Sequence, residues 1–281
     1  MAPQSSTDKS LAIVTDVKGF YDNFWPTNLP SREDLEETRQ HLEKIIPNKR
    51  WERILDAGCG LGVCTVSLRD MGNKVVGVDI SPESLQAAER LANRLGKEDI
   101  EFLEANLMEL PFEDESFDLI LCWGVLMYVP SAEKVFSELV RCLRKDGTLV
   151  VAVHRKSALT PMHNAIRYVC LRIPKFARGA AIKLMALSIK TLVTALNRRP
   201  VRDDLSFEAK VEDFYFIPFK RFFTIDEMQA LFQRHGMSSE VVFEHTGRFK
   251  SSSNVILRGA MLDTSIVIMG CMDNLLTPLG V

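Results

Sequence analysis

Between about residue 50 and residue 155, short apolar runs alternate with stretches of helical period. The runs are 52–56, 74–79, 100–104, 117–123 (Phe-Asp-Leu-Ile-Leu-Cys-Trp) and 148–153. Residues 62–71, Ser81 to Gly96 and Ser131 to Leu143 instead repeat their apolar positions every three or four residues, the spacing of one helix face. Ser81-Pro82-Glu83 places a capping serine before a proline at the first helical position, and Gly96 supplies the stop. Strands separated by helices predict a parallel, doubly wound sheet. Ligands of such sheets bind beyond the carboxyl ends of the strands.

The flanks follow other patterns. Residues 1–10 are polar and are expected to lack fixed structure. Leu11 to Phe24 predicts a short helix, and a second should run from an N-cap at Ser31 to about Ile46, before Pro47. Thr224-Ile225-Asp226-Glu227 reads as a capping box opening a helix to His235, with Gly236 after it. Residues 239–244 and 254–260 read as two further strands, and the apolar tail 264–281 either packs on the core or extends the last of them. From Arg155 to Arg202 there are eleven Lys or Arg residues and no Asp or Glu, interleaved with many aliphatic residues. Lys183, Lys190, Thr191, Thr194 and Asn197 would form a narrow polar stripe on a helix there. The chain then divides into N-terminal helices (1–48), an α/β core (49–154), a basic, apolar helical cap or lid (155–222) and a part returning to the sheet (223–281).

Candidate chemistry concentrates in Leu55-Asp56-Ala57-Gly58-Cys59-Gly60-Leu61-Gly62, a strand end, a glycine turn and a helix start. Glycines allow positive φ and close approach of a ligand. The helix start offers unpaired N–H groups. The spacing G-x-G-x-G differs from the G-x-G-x-x-G of dinucleotide binders. The second run ends in Asp79, about 20 residues on, where a carboxylate can accept from two ribose hydroxyls. An NAD-binding Rossmann domain, or a turn without a ligand, would share part of this pattern.

The pair Leu-Asp-Ala-Gly-Cys-Gly-Leu-Gly and Val-Val-Gly-Val-Asp-Ile-Ser resembles the class I S-adenosylmethionine (SAM) dependent methyltransferases. The likeness is closest to the group containing the ubiquinone and menaquinone biosynthesis methyltransferases (methyltransferase type 11), and covers about residues 50–155. The resemblance implies a Rossmann-like, seven-stranded sheet, parallel with one antiparallel strand, and a helical cap inserted after strand five. It implies SAM as cofactor and S-adenosylhomocysteine as product. Asp56, Gly58, Cys59, Gly60 and Gly62 would hold the methionine portion, Asp79 the ribose, and Ile80, Asn106 and Leu107 the adenine. Trp123 would stand beside the sulfonium, where an aromatic face suits a cation, or simply pack. Tyr21, in a Tyr-Asp pair shared with relatives, would touch SAM or the acceptor, and Trp25 would line the pocket. His154, just after strand five, is a candidate base, as is Tyr128, at a position where relatives often carry His. His163 and Tyr215 are secondary acceptor-site candidates.

Composition narrows the reading further. The net charge is only -2, and the six cysteines form no C-x-x-C pair and lie at no metal spacing, so free thiols and no metal are expected. The N-terminus lacks a signal-peptide core, and no apolar stretch is long enough to span a bilayer. A cytoplasmic location is expected, with peripheral membrane contact through 176–199 as one use of the basic cap. Its other uses are a lid over a soluble acceptor or a phosphate-binding surface; two aromatics (Tyr168, Phe176) offer little for base stacking, so nucleic acid is the weakest of the three. The expected function is methyl transfer to a small-molecule acceptor, oxygen first, with nitrogen or carbon open. Alternatives are a lipid, isoprenoid quinone or lipid-linked glycan acceptor, non-methyl SAM chemistry, and a non-catalytic SAM-binding protein. A homodimer is compatible with all of these.

Overall fold

A computed structural model describes residues 6–24, 32–195, 207–244 and 265–271. The first half alternates as the periodicity predicts: β1 (Trp51–Ala57), α3 (Val63–Leu68), β2 (Gly72–Asp79), α4 (Pro82–Arg94), β3 (Glu101–Glu104), β4 (Phe117–Trp123), α5 (Ala132–Cys142) and β5 (Leu143–His154). Ahead of them lie α1 (Ser6–Phe24) and α2 (Arg32–Ile45). After them come α6 (Thr160–Cys170), α7 (Lys175–Ala195), α8 (Phe207–Val211), a single π-helical turn (Glu212–Phe216), α9 (Ile225–Arg234), β6 (Ser238–Glu244) and β7 (Ser265–Cys271). The strand order is β3-β2-β1-β4-β5-β7-β6. Neighbours pair in parallel from β3 to β5, and β7 is antiparallel to both β5 and β6. The Rossmann-like α/β class with a mostly parallel sheet is therefore present. The order reverses between β1 and β4, which opens a crevice at their carboxyl ends.

The central strands β1, β2, β4 and β5 are buried on both faces because they carry nearly continuous aliphatic runs. Leu55, Val76, Ile120 and Val151 point to the side covered by α5 and α9, with Phe136 and Phe232. Ile54, Val75, Leu121 and Val150 point to the side covered by α2, with Leu42 and Ile45. A third apolar cluster lies apart: Cys170, Ile182 and Ala186 from α6 and α7 pack on Phe214, Tyr215, Phe216 and Phe222.

Several expectations are corrected. Residues 6–10, expected to be without structure, form the first turns of α1. The helix expected over 62–71 ends at Leu68, because Arg69–Met71 tighten into a turn that leads directly into β2. β5 begins at Leu143 rather than 148, with a register shift against β4 between Phe117 and Leu119. The strand expected at 254–260 lies outside the described residues, and it is the tail segment Ser265–Cys271 that pairs with β5 and β6. Ser31 and Trp25 also lie outside the described residues. On α7, the exposed surface is wider than the predicted polar stripe and includes Phe176, Leu184 and Leu187.

Candidate active site

The glycine loop after β1 closes half of the crevice. Gly58, Gly60 and Gly62 have φ of 83°, 51° and 76°, the left-handed region that favours glycine. A Cβ on Gly58 would stand 2.3 Å from Val125 Cγ2, and one on Gly62 2.8 Å from Ala88 Cβ. The loop is thus pressed between the segment after β4 and helix α4. The Gly58 and Cys59 N–H groups donate to Val78 O at 2.7 and 2.9 Å, tying the loop to the end of β2. Asp79 closes the same junction: its Oδ2 accepts from Gly60 N at 2.9 Å and its Oδ1 from Ser81 N at 3.0 Å.

Asp56 is buried below the loop, and Thr65 Oγ1 donates to its Oδ2 at 2.6 Å. Burial pushes its carboxyl up to about 7. Burial also raises the Cys59 thiol, which keeps it protonated and small. Next to Asp79, Ala105 N donates to Asp79 O at 3.0 Å, and Asn106 Oδ1 accepts from Met108 N at 3.0 Å, turning the chain after β3. Leu107 is buried there, and Ile80 is half-buried at the end of β2. Asp56, Gly58, Cys59, Gly60, Gly62, Asp79, Ile80, Asn106 and Leu107 are therefore gathered about one loop and its neighbouring strand ends. Trp123 packs with the layer beneath α2, edge-on to His41 at 5.5 Å between centroids.

The other half of the crevice holds buried polar chemistry. The backbone of 221–223 is laced to the ends of β4 and β5: Arg221 N donates to Met127 O, Phe223 N to His154 O, and Lys156 N to Phe223 O. This lacing fixes Lys220, whose side chain has no exposure. Lys220 Nζ lies 3.2 Å from Tyr128 Oη, 3.9 Å from Asp213 Oδ2 and 4.0 Å from the Phe214 ring centroid. Burial lowers its ammonium to about 7, against the opposing pull of Asp213. Asp213 accepts from Tyr128 Oη at 3.0 Å and from Tyr21 Oη at 3.2 Å. Burial and the adjacent carboxylate raise both phenols well above their ordinary value.

His154 stacks near Phe214 and Phe222, with Tyr128 edge-on. Its buried Nδ1 has no partner among the described residues, and burial holds its pKa well below the usual imidazole range. The ring is a neutral hydrogen-bonding group, a weaker base than its position suggests. His163 is buried, with Nδ1 3.1 Å from Tyr215 Oη and an unpartnered Nε2. Arg167 secures the π-helical turn by donating to Phe214 O and Ile217 O, both at 2.8 Å. Such turns recur at functional sites.

Helix α1 joins the two halves. Lys18 Nζ donates to Ile80 O at 2.9 Å and lies 3.5 Å from Glu104, while Tyr21 reaches Asp213. The structure brings Tyr21, Tyr128 and His154 together with Asp213 and Lys220, and sets Lys18 at the cofactor-loop end; the sequence reading singled out none of Lys18, Asp213 and Lys220. Asp213 and Lys220 sit in a stretch without local motif, after α7 and within the segment read as the cap. The one available signal was Tyr215, already a candidate, two residues from Asp213.

Residues 55–151 match the family profile described as a methyltransferase domain. The chain is similar to the sterol 4-C-methyltransferase strm-1 of Caenorhabditis elegans, 30% identical over 120 residues, covering 42% of this chain and 36% of that protein. It is similar to ajmaline N-methyltransferase of Rauvolfia serpentina, 28% identical over 123 residues, covering 43% and 42%. The chain thus spans less than half the length of these relatives. The crystal structure of YcgJ from Bacillus subtilis superimposes with a TM-score of 0.53 at 17% identity, covering 86% of this chain and 98% of that one. That structure shares the fold.

Proposed function

We propose that this chain, whose residues 55–151 form a class I SAM-dependent methyltransferase domain, moves a methyl group from SAM to an apolar small molecule held beyond β4 and β5. The observation that carries the reading is the joining of two half-sites across the crevice: the glycine loop with Asp79, and the buried Lys220–Tyr128–Asp213 network.

The residues of the first half fit the cofactor. Asp79, already aimed by two backbone N–H groups, retains lone pairs for ribose hydroxyls. The glycines let the backbone approach the methionine portion. Asp56 acts through the loop it anchors. Ile80 and Leu107 supply apolar surface for adenine, and Asn106 an amide at its edge. Bound here, SAM supplies an electrophilic methyl carbon.

The residues of the second half suit an acceptor carrying a proton. Neutral Lys220 would accept the proton of an acceptor O–H or N–H, while SAM, when bound, would supply the methyl carbon and its sulfur would keep the electron pair of the bond given up. Tyr128 and Asp213 hold the ammonium that forms. His154 would offer its Nδ1 to orient the acceptor, with the Phe214 and Phe222 rings beside it. Oxygen and nitrogen acceptors both suit this arrangement. Carbon, the atom named for the sterol enzyme, would need the same base once a C–H is acidified. A lipid acceptor is the second reading, favoured by the exposed apolar side chains of α6 and α7. In either case α1 would cover the cofactor side, through Lys18 on Ile80 O, and α6 with the π-helical turn would cover the acceptor.

Calorimetry tests the cofactor half. Asp79→Ala should weaken SAM binding at least about tenfold, the value of one or two lost hydrogen bonds to a charged group. Unchanged affinity would overturn the assignment.

A further inference from the structure

Helices α6 and α7 have a second face that the crevice does not use. On α7, Phe176, Ala180, Lys183, Leu184, Leu187 and Thr191 are exposed, at a spacing that puts them on one side of the helix. Phe176 is 92%, Leu184 66% and Leu187 61% exposed. On α6, Tyr168 and Val169 are exposed to a similar degree. Large aliphatic and aromatic side chains do not stay in water at this density without a reason.

Charge decides what covers them. Arg172, Lys175, Lys183 and Lys190 are exposed among these residues, and no Asp or Glu occurs from Arg155 to Arg202. A protein partner is poorly matched, because interface cores are depleted in lysine. A bilayer surface is well matched: lysine heads reach phosphates while their stems and the neighbouring rings enter the acyl boundary. No described helix is long and apolar enough to cross a membrane. A helix of 21 residues lying flat spans about 30 Å of such a surface.

We infer that the outer face of α6 and α7 docks this protein on bilayers containing anionic lipid. The buried side of the same helices packs on Phe214, Tyr215, Phe216 and Phe222, so docking would set this aromatic cluster directly behind the lipid surface. The inference does not rest on methyl transfer and fails or holds separately from it.

The test is flotation of the full chain with vesicles of phosphatidylcholine alone and of phosphatidylcholine mixed with phosphatidylglycerol. Binding to the mixed vesicles should be at least about tenfold tighter, since each basic residue contributes up to about 1 kcal/mol near an anionic surface. It should weaken as salt rises. The double substitution Leu184→Glu and Leu187→Glu should abolish flotation, with SAM affinity by calorimetry reporting that the fold is intact. Should that variant misfold, the exposed pair Lys175→Glu and Lys183→Glu decides, with the same loss expected. The inference is overturned if the wild type floats with neither vesicle, if both variants float like the wild type, or if the wild type is a dimer that Leu184→Glu dissociates.

Discussion

Lys220 is the residue on which the proposed chemistry turns. An ammonium in water stays charged until far above neutral pH, and would be useless as a base. Buried against Phe214 and beside Tyr128, its pKa falls to about 7, so a large neutral fraction exists near physiological pH. Asp213 limits that fall, so the group is poised rather than simply neutralised. Lys220→Met should lower kcat at least about a hundredfold, the usual contribution of a general base. SAM affinity should be unchanged. In the wild type kcat should rise with pH through about 7 as Lys220 loses its proton, and this limb should vanish in the variant. A profile identical in both proteins would remove Lys220 from the chemistry.

Asp56 makes a separate prediction about stability. Its carboxyl stands at about 7 in the folded protein, raised by burial despite the Thr65 hydrogen bond. Unfolded, it would titrate near about 4. Between these values the folded state holds the extra proton, so stability falls as pH rises from about 4 to about 7. Asp56→Asn, which cannot ionise, should flatten this slope. Denaturant titrations across that range would show it, and an unchanged slope in Asp56→Asn would contradict the assignment.

At the scale of elements, the crevice is closed by helices that the core does not require. Helix α1 is pinned at one end of the site by Lys18 on Ile80 O and at the other by Tyr21 on Asp213. Lys18→Ala should raise the KM for SAM several-fold, with little change in melting temperature, because one anchor is lost and the sheet is untouched. An unaltered KM would make α1 a passive cover. Helix α9 gives the opposite case. Its capping box is complete, with Glu227 N donating to Thr224 Oγ1 and Thr224 N donating to Glu227 Oε2. Thr224→Ala should cost about 1 kcal/mol of stability and leave methyl transfer unchanged, as measured by thermal unfolding and product formation.

The elements also show why part of the molecule was legible beforehand. β4 and the caps at Ser81 and Thr224 follow from local rules: an apolar run, a proline at the first helical turn, a Thr three residues before Glu. The glycine loop was legible because its backbone conformation admits almost nothing else. β7 was not, because Ser265–Cys271 becomes a strand by pairing with β5 and β6, and nothing within the segment states its register. Asp213 and Lys220 were hidden for the same reason. Their meaning comes from the lacing of 221–223 onto Met127 and His154, about 70 to 90 residues away in sequence. The sequence put His154 at the end of β5 as a candidate base or a structural histidine, and its burial, which lowers its basicity, is invisible in a one-dimensional pattern.

At the scale of the whole molecule, the chain sets a cofactor loop on one side of the sheet's switch point and a buried basic amine on the other. A basic, apolar helix pair then forms the far wall. The most direct measurement is transfer of label from methyl-labelled SAM into an extract of the native host, split into organic and aqueous phases, for the wild type and for Lys220→Met. The account predicts label in an extractable acceptor, concentrated in the organic phase, with the wild type. Lys220→Met should leave SAM binding intact and lose nearly all of that label. A wild type that binds SAM yet transfers no label to either phase would contradict it, as would a Lys220→Met protein that transfers label as fast as the wild type.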